Sequence, residues 1–432
     1  MSVKEEDHEG SQGPKSPLSS SSDEEEKAAY GALSDDDIDV DDEKTKRILA
    51  ACETRNIDDL QELAMSKGGF LSDANRAHAW PILLGSVDSW GSTDLDGKAA
   101  ADPVPGAKGE AEEDWRNLPP HRDESQVKLD VDRSFVYYPN DNSQAELNAK
   151  KAELSDLIRS VLRRQPHLCY FQGYHDICQV FLLVLPAGPG RAAAVSRLSA
   201  LRIRDFMLPS LAPAVAQLRL IPDILGAEDP ALRAHLTQTE PYFALADTLT
   251  MFAHNVRRLA DIARLFDALL AREPAFALYV FARMALDRRA DLVSSQYLAE
   301  PDMLHFALSK LPQDPGLDLD AAVEGAARLL AEHPPDSLPA WRRRWRGGGV
   351  SRASALRTGR DVEKCARGQS LADGRRFFDL QLRELQRAER YEELRKRYDT
   401  WPNRIAVVTV IFSVAAALYI RKGPGFGFGF RA

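Results

Sequence analysis

The chain has 432 residues, 44% of them hydrophobic, and is therefore long enough to bury a substantial core. Its formal net charge of -9 is concentrated in residues 1–44, where 15 acidic residues face 4 lysines, so the remainder is close to neutral. This balance gives no support to nucleic-acid binding, and we expect no nucleic-acid partner. Four scattered cysteines fit a reducing compartment rather than a disulfide framework.

The first segment, residues 1–44, is low in hydrophobic residues and rich in charge. Such a composition cannot bury enough apolar surface to offset the entropy lost on ordering, so we expect a disordered acidic tail. Serines beside the acidic runs, as in SPLSSSSDEEE, are candidates for phosphorylation, although a solubilising tail is the simpler interpretation.

Helical periodicity begins at Thr45 and continues to KGGF at 67–70, whose glycines end the helical pattern. The next predicted helix carries Arg76 and Trp80 on an apolar face, and we interpret both as structural residues. Residues 86–125 are rich in glycine, proline and charge, which predicts a loop excursion over the surface.

The central part of the chain consists of successive segments with a helical period, such as AELNAKKAELSDLIRSVLRR and RRLADIARLFDALLA. Proline or glycine separates many of them, and none alternates as a half-buried strand would. We therefore expect an all-α fold of many medium-length helices with short connections. No repeat of fixed period indicates a solenoid.

Residues 336–400 are predicted to form a basic linker followed by a charged helix. The first part includes WRRRWRGGGVSRASALRTGR, whose arginines make a poor core. The 341–360 segment is either a solvated basic loop, the simpler interpretation, or a surface for anionic lipid headgroups.

Residues 405–420, IAVVTVIFSVAAALYI, are uncharged and almost wholly apolar. At about 1.5 Å per residue they span about 24 Å, which suits a thin membrane once flanking aromatic and basic residues extend the span. We therefore predict a single C-terminal transmembrane anchor at 401–422 and a short flexible tail at 423–432. The alternative is a buried C-terminal helix, which the lack of a polar face disfavours.

The segment CYFQGYHD (169–176) combines aromatic, polar and reactive side chains in the middle of the chain. A zinc site on His167, Cys169, His175 and Cys178 is one interpretation, because these residue types bind zinc. Their spacing matches no established ligand pattern, and we predict no metal.

Catalysis offers two further interpretations of the same segment. Cys169 and His167 are two positions apart and would face apart on a helix, which disfavours a thiolate pair. Gln172, flanked by aromatic residues, carries an amide with two donors and an acceptor, which suits the orientation of a water molecule. Gly173 lets another backbone approach closely.

A cationic partner for Gln172 is available upstream in QVKLDVDRSF, where Arg133 follows Asp130 by three positions. The residues alone leave open whether Arg133 and Gln172 meet in space. Asp132 is a candidate ion-pair partner that occupies the guanidinium in the free protein, although exposed neighbours of this kind contribute little energy.

The segments VKLDVDR (127–133) and YFQGYHD (170–176) resemble the two fingerprints of the TBC-domain family of Rab GTPase-activating proteins. RAHAWPILLG (76–85) and RLADIARLFDALL (258–270) are similar to further family segments in the same order. The resemblance covers about residues 45–335 and implies an all-α TBC domain.

By this resemblance, Arg133 is an arginine finger supplied in trans to the γ-phosphate of GTP. Gln172 is a glutamine finger that orients the attacking water in place of the GTPase's own glutamine. Four residues are implied to support the finger loops: Asp130, Tyr170, Gly173 and Asp176.

The resemblance also implies a GTP-bound Rab protein as partner, with no cofactor of the chain's own because the GTPase holds GTP and Mg²⁺. Together with the C-terminal span, it is most similar to a tail-anchored subgroup at the endoplasmic reticulum membrane. That placement implies a cytosolic catalytic domain, control of endoplasmic-reticulum-to-Golgi traffic, and a reticulon-like membrane partner. The alternative is a non-catalytic scaffold that binds a Rab or membrane partner without stimulating hydrolysis.

One segment, ADTLTMF (246–252), departs from the family pattern. Many members carry tryptophan there, whereas this chain has Asp247 and Met251. We expect the difference to affect local packing or Rab contact rather than the fingers.

Overall fold

The structure is a computed structural model, and it describes residues 35–87, 114–139, 143–237, 239–294, 300–343 and 348–398. The chain divides between Arg47 and Ile48 into two units. The unit that begins at Ile48 contains the hydrophobic core.

Helices form all the regular structure within the described ranges, which confirms the all-α prediction. The α-helices are α1 (Asp35–Glu53), α2 (Ile57–Met65), α3 (Asp73–Leu84), α4 (Glu124–Asp132), α5 (Gln144–Arg164), α6 (Tyr174–Val184), α7 (Pro189–Arg197), α8 (Ala212–Leu218), α9 (Leu220–Glu228), α10 (Pro230–Leu236), α11 (Leu245–Leu249), α12 (Leu259–Ala271), α13 (Phe276–Asp287), α14 (Arg289–Leu292), α15 (Pro301–Ser309), α16 (Leu319–Glu332), α17 (Pro339–Arg342), α18 (Ala355–Thr358), α19 (Val362–Gly368) and α20 (Leu371–Tyr398). Short tighter or wider helical turns occur at Trp115–Asn117, Leu198–Arg202, Arg204–Met207, Pro241–Ala244, Leu311–Gln313 and Pro335–Ser337.

Helix α1 corrects the prediction of a disordered tail over residues 1–44. It begins at Asp35, so residues 35–44 are helical. The helix continues to Glu53 and includes the buried residues Ile48 and Ala51, whose packing stabilises it.

The core forms where the apolar faces of the central helices meet. In α12, Ile262, Leu265, Phe266 and Leu269 recur at helical spacing and are buried. Helix α13 packs along α16. The hydroxyl of Tyr279 on α13 donates a 2.6 Å hydrogen bond to a backbone carbonyl beyond the end of α16.

A buried carboxylate fixes α3 to α12. Asp267 accepts hydrogen bonds from Arg76 Nε at 3.1 Å, from Trp80 Nε1 at 2.8 Å and from the backbone N–H of Phe70 at 2.9 Å. These donors compensate the loss of solvent around a charge that is fully buried. The placement of Arg76 and Trp80 agrees with a structural role.

Described residues between 336 and 385 pack against the helical body, which differs from the linker predicted there. Asp205 is buried and accepts hydrogen bonds from the backbone N–H of Ala355 at 2.9 Å and from Gln381 Nε2 at 2.8 Å. The neighbouring Arg204 is also buried and donates to Gln381 Oε1 at 3.2 Å. The charged helix expected in this region is present as α20.

The described residues of the basic 341–360 segment contribute to this packing, whereas a solvated loop was the simpler expectation. Trp341 and Leu356 are buried, and the Arg357 guanidinium lies 4.0 Å from the centre of the Trp341 ring. A cation over an aromatic face is stabilised by the ring quadrupole. Composition alone suggested exposure because the many arginines of the segment outweigh its few apolar residues, which are the ones that pack.

Several predictions concern residues outside the described ranges. They are the acidic tail over 1–34, most of the loop excursion (88–113), the anchor at 401–422 and the tail at 423–432. Among the helices that are described, none is both long and apolar enough to cross a membrane.

Candidate functional site

Arg133 directly follows α4, and its side chain is held by a buried carboxylate from the last turn of that helix. Arg133 Nη2 lies 2.5 Å from Asp130 Oδ1. The Asp130 side chain is fully buried, whereas the Arg133 side chain is 66% exposed. One end of the guanidinium is therefore fixed while much of its surface faces solvent.

Asp130 joins the end of α4 to the segment that leads into α6. Its Oδ1 accepts a second hydrogen bond from Gln126 Nε2 at 3.0 Å, and its Oδ2 accepts one from the Tyr170 hydroxyl at 2.9 Å. Burial, reinforced by the negative charge of Asp130, holds the pKa of Tyr170 well above its usual value. Tyr170 therefore remains a hydrogen-bond donor at physiological pH.

Gln172 is exposed at a tight turn just before α6. Gly173 caps that helix with a φ of 101°, a conformation that favours glycine. A Cβ at Gly173 would lie 2.6 Å from Thr250 Cγ2, so no larger residue fits without movement. The close approach of this turn to Thr250 fixes where the Gln172 side chain leaves the backbone.

A chain of polar contacts continues from Tyr170 into α6. Tyr170 Oη lies 3.1 Å from His175 Nδ1, and His175 Nε2 lies 3.3 Å from Asp176 Oδ1. Asp176 Oδ2 lies 2.9 Å from His254 Nδ1. Burial lowers the pKa of His175, whereas the hydrogen bond to Asp176 raises the pKa of His254.

Arg133 and Gln172 line the same groove, whose volume is about 550 Å³. Gly173 and Asp176 also line it, while Asp130 bonds the lining residue Arg133 and accepts a hydrogen bond from Tyr170. The structure thus brings together six residues that sequence reasoning linked only by family resemblance: Asp130, Arg133, Tyr170, Gln172, Gly173 and Asp176.

One side of the groove presents apolar side chains to solvent. Val136 is 72% exposed, Tyr137 is 41% exposed and Leu211 is 52% exposed. Exposed apolar side chains beside charged and polar groups are typical of surfaces that bind another protein.

Gln179 on α6 is a groove residue that sequence reasoning missed. Its Oε1 accepts the backbone N–H of Phe135 at 3.1 Å, and its Nε2 donates to the carbonyl of Tyr138 at 3.4 Å. It thereby ties the segment after Arg133 to the helix after Gln172. The signal was a single buried amide in the otherwise apolar run DICQVFLLVL.

Asp132 does not hold the arginine in this structure. Its Oδ2 lies 2.9 Å from Lys128 Nζ, an exposed pair one turn apart on α4. The partner of Arg133 is Asp130, on the buried face of the helix.

The reactive residues around CYFQGYHD take up packing positions. Cys169 Sγ accepts a contact from Arg122 at 3.0 Å, and burial raises the pKa of its thiol. The His167 ring packs edge-on against Phe378 at 4.9 Å, and Cys178 is buried. Among the described residues, one group has metal-ligand atoms close together, outside the groove: Glu228, Glu332 and His333.

This fold and groove define a class of protein. The family model of the Rab-GTPase-TBC domain matches residues 73–293, just over half of the chain. The chain therefore belongs to the Rab-GTPase-TBC domain family, and the resemblance found in its motifs is confirmed.

The chain is similar to particular proteins of yeasts and mammals. The GTPase-activating protein gyp10 of Schizosaccharomyces pombe is 34% identical over 270 residues, which are 62% of this chain and 69% of the relative. TBC1 domain family member 20 of Homo sapiens is 31% identical over 282 residues, which are 65% of this chain and 64% of the relative. The GTPase-activating protein GYP8 of Saccharomyces cerevisiae is 25% identical over 296 residues, or 61% and 55% of the two chains. The match therefore spans less than two thirds of the length of TBC1 domain family member 20 and of GYP8.

Proposed function

We propose that this protein is a GTPase-activating protein for a Rab-family GTPase, with Arg133 as arginine finger and Gln172 as glutamine finger. The observation that carries the proposal is that both side chains are exposed in one groove, although they come from separate segments. Membership of the Rab-GTPase-TBC family and the names of two yeast relatives support it.

The chemistry of the arginine suits phosphoryl transfer. Charge develops on the phosphoryl oxygens in the transition state, and a planar guanidinium spreads its positive charge over two of them. A finger of this kind contributes about 10³–10⁵ in rate, or roughly 4–7 kcal/mol of barrier. The Asp130 contact restrains Arg133 before the partner binds, which reduces the entropy lost on binding.

The chemistry of the glutamine suits the positioning of water. Its amide both donates and accepts, so it can hold a water molecule in line with the bond that breaks. Within the described residues the Gln172 side chain is exposed and has no recorded hydrogen bond, which leaves it available to a partner.

Phosphate release in single-turnover reactions tests the proposal, with the full chain and a panel of GTP-loaded Rab proteins. We expect acceleration of at least one Rab, and loss of most of it in Arg133→Ala and in Gln172→Ala. Arg258→Ala is the matched control, because Arg258 is 78% exposed and does not line the groove. Full acceleration by both finger variants would contradict the mechanism, and binding without hydrolysis would favour a non-catalytic scaffold.

We also propose that the chain acts at the endoplasmic reticulum membrane through its C-terminal span, on a Rab of the early secretory pathway. The support is the apolar run of 405–420, its flanking basic and aromatic residues, and similarity to TBC1 domain family member 20. A fluorescently tagged full chain should localise to the endoplasmic reticulum, whereas a Val410→Arg, Ala415→Arg double variant should not. Unchanged localisation of this variant would contradict the anchor.

A further inference from the structure

His254 lies in the groove but has no part in the two-finger mechanism. Its side chain is 58% exposed, and its Nδ1 lies 2.9 Å from Asp176 Oδ2. Its other ring nitrogen, Nε2, has no hydrogen-bond partner among the described residues. One edge of the imidazole is therefore fixed, and the other remains available.

The backbone places His254 next to the glutamine turn. The contact between Gly173 and Thr250 is so close that a Cβ on the glycine would lie 2.6 Å from Thr250 Cγ2. Thr250 Oγ1 accepts the backbone N–H of His254 at 3.3 Å. Because Gln172 directly precedes Gly173, the amide and the imidazole arise from adjoining positions in the groove.

Charged groups on the neighbouring segments set the protonation of His254. Asp176 and His175 face it from α6, Asp247 from α11, and Lys310 from the end of α15. The hydrogen bond to Asp176 is the largest influence and raises the pKa of His254, against burial and Lys310. The contact with Asp176 therefore favours the protonated imidazole.

Protonation changes what the free edge of the ring can bind. When Nδ1–H donates to Asp176, the neutral ring offers only a lone pair at Nε2, whereas the protonated ring offers an N–H. Only the protonated ring can donate a hydrogen bond to an anion in the groove.

We propose that His254 is a third polar contact of the groove, beside Arg133 and Gln172, and that its protonated ring donates from Nε2 to an anionic oxygen of the GTP-loaded partner. The inference rests on the proposed GTPase-activating function and adds a residue outside both fingerprint segments. The oxygen belongs either to the nucleotide phosphate or to a carboxylate of the GTPase, because a charge-assisted hydrogen bond suits both. Kinetics separates them, since a contact made in the transition state changes kcat and a uniform binding contact changes KM.

The test compares the full unaltered chain with His254→Gln and His254→Lys, by phosphate release from a responsive Rab between about pH 6 and about pH 8.5. Because it lacks the charge-assisted hydrogen bond, His254→Gln should accelerate hydrolysis about tenfold less than the unaltered chain at the acidic end of this range. The unaltered chain should fall towards this rate as pH rises, whereas His254→Lys, charged throughout, should not. A loss in kcat assigns the oxygen to phosphate, and a rise in KM assigns it to a carboxylate.

Two controls keep the outcome specific. The Rab's intrinsic hydrolysis is subtracted at each pH, and His78→Gln on α3 serves as a histidine substitution outside the groove. If Arg133→Ala abolishes the acceleration but His254→Gln leaves it unchanged, this inference is overturned and the proposed function is not. The same holds if His254→Lys follows the pH profile of the unaltered chain. No acceleration of any Rab by the unaltered chain would overturn the proposed function and this inference together.

Discussion

Asp130 is the buried residue that most affects the groove, because it holds Arg133 in place. It is fully buried and accepts hydrogen bonds from Gln126, Arg133 and Tyr170. A buried carboxylate needs such donors, because each one lost leaves part of its charge without compensation. The stability of the protein and the position of Arg133 therefore both depend on the Asp130 carboxylate.

Tyr170→Phe removes one of these donors without changing the packing volume. We expect the free energy of unfolding to fall by about 1–3 kcal/mol, the usual result of leaving a buried polar group short of a partner. Urea denaturation of the full chain measures it, with Tyr242→Phe as control because Tyr242 is 49% exposed. Equal losses in the two variants would show that the bond to Asp130 contributes nothing.

Asp247 is a buried carboxylate with an incomplete set of partners. Its Oδ1 accepts a 2.7 Å hydrogen bond from Asn255, but Oδ2 has no partner among the described residues. Burial raises the pKa of Asp247 to about 7. Between its unfolded pKa of about 4 and this value, the folded chain binds more protons than the unfolded chain, so Asp247 lowers stability as pH rises.

Asp247→Asn should therefore stabilise the protein at alkaline pH, on the order of 2–4 kcal/mol at pH 8. At about pH 3 the two proteins should be nearly equal, because the carboxyl is then largely protonated in both states. Urea denaturation at a series of pH values measures the difference. If the difference between the two free energies of unfolding stays constant from pH 4 to pH 8, Asp247 does not titrate in this range.

At the scale of elements, the groove depends on how α6 begins. The positive φ of Gly173 and its contact with Thr250 fix the turn that carries Gln172. The sequence predicted a functional amide followed by a permissive glycine. It did not predict Thr250 or Gln179, because their contacts join segments whose separation in sequence hides their proximity.

Gly173→Ala should displace this turn and lower the acceleration of GTP hydrolysis, with a stability cost of about 1–2 kcal/mol from the left-handed backbone. Thr250→Ser removes the methyl group that the new Cβ meets but keeps the hydroxyl that bonds His254. The double variant should recover part of the rate, measured by single-turnover phosphate release. A double variant as slow as Gly173→Ala would mean that backbone strain, rather than the collision, displaces the glutamine.

At the scale of the whole molecule, the all-α class followed from helical periodicity and was predicted correctly. The C-terminal boundary of the folded part was not predicted, because the many arginines of residues 336–398 suggested a solvated segment, whereas Ala355 and Gln381 in it bond buried residues elsewhere in the chain. Arg204 and Asp205 are both buried, and both take partners from this segment. Composition cannot reveal that pairing.

A chain that ends at residue 335 should consequently be poorly stable, whereas one that ends at residue 398 should fold. The shorter chain leaves the charge of Asp205 without three of its donors, a loss that typically costs about 3–5 kcal/mol when a buried charge is uncompensated. Thermal melting and protease resistance measure the difference. Equal melting temperatures for the two chains would show that the segment is dispensable.

Helix α20 begins in this packed region and then leaves it. Gln381 and Leu385 are buried, whereas the side chains of 389–396 are exposed. The last ten residues of the helix extend for about 15 Å at the rise of an α-helix. In the membrane-anchored protein that we propose, this part of α20 would be a stiff stalk, and its length would contribute to the distance between the groove and the bilayer.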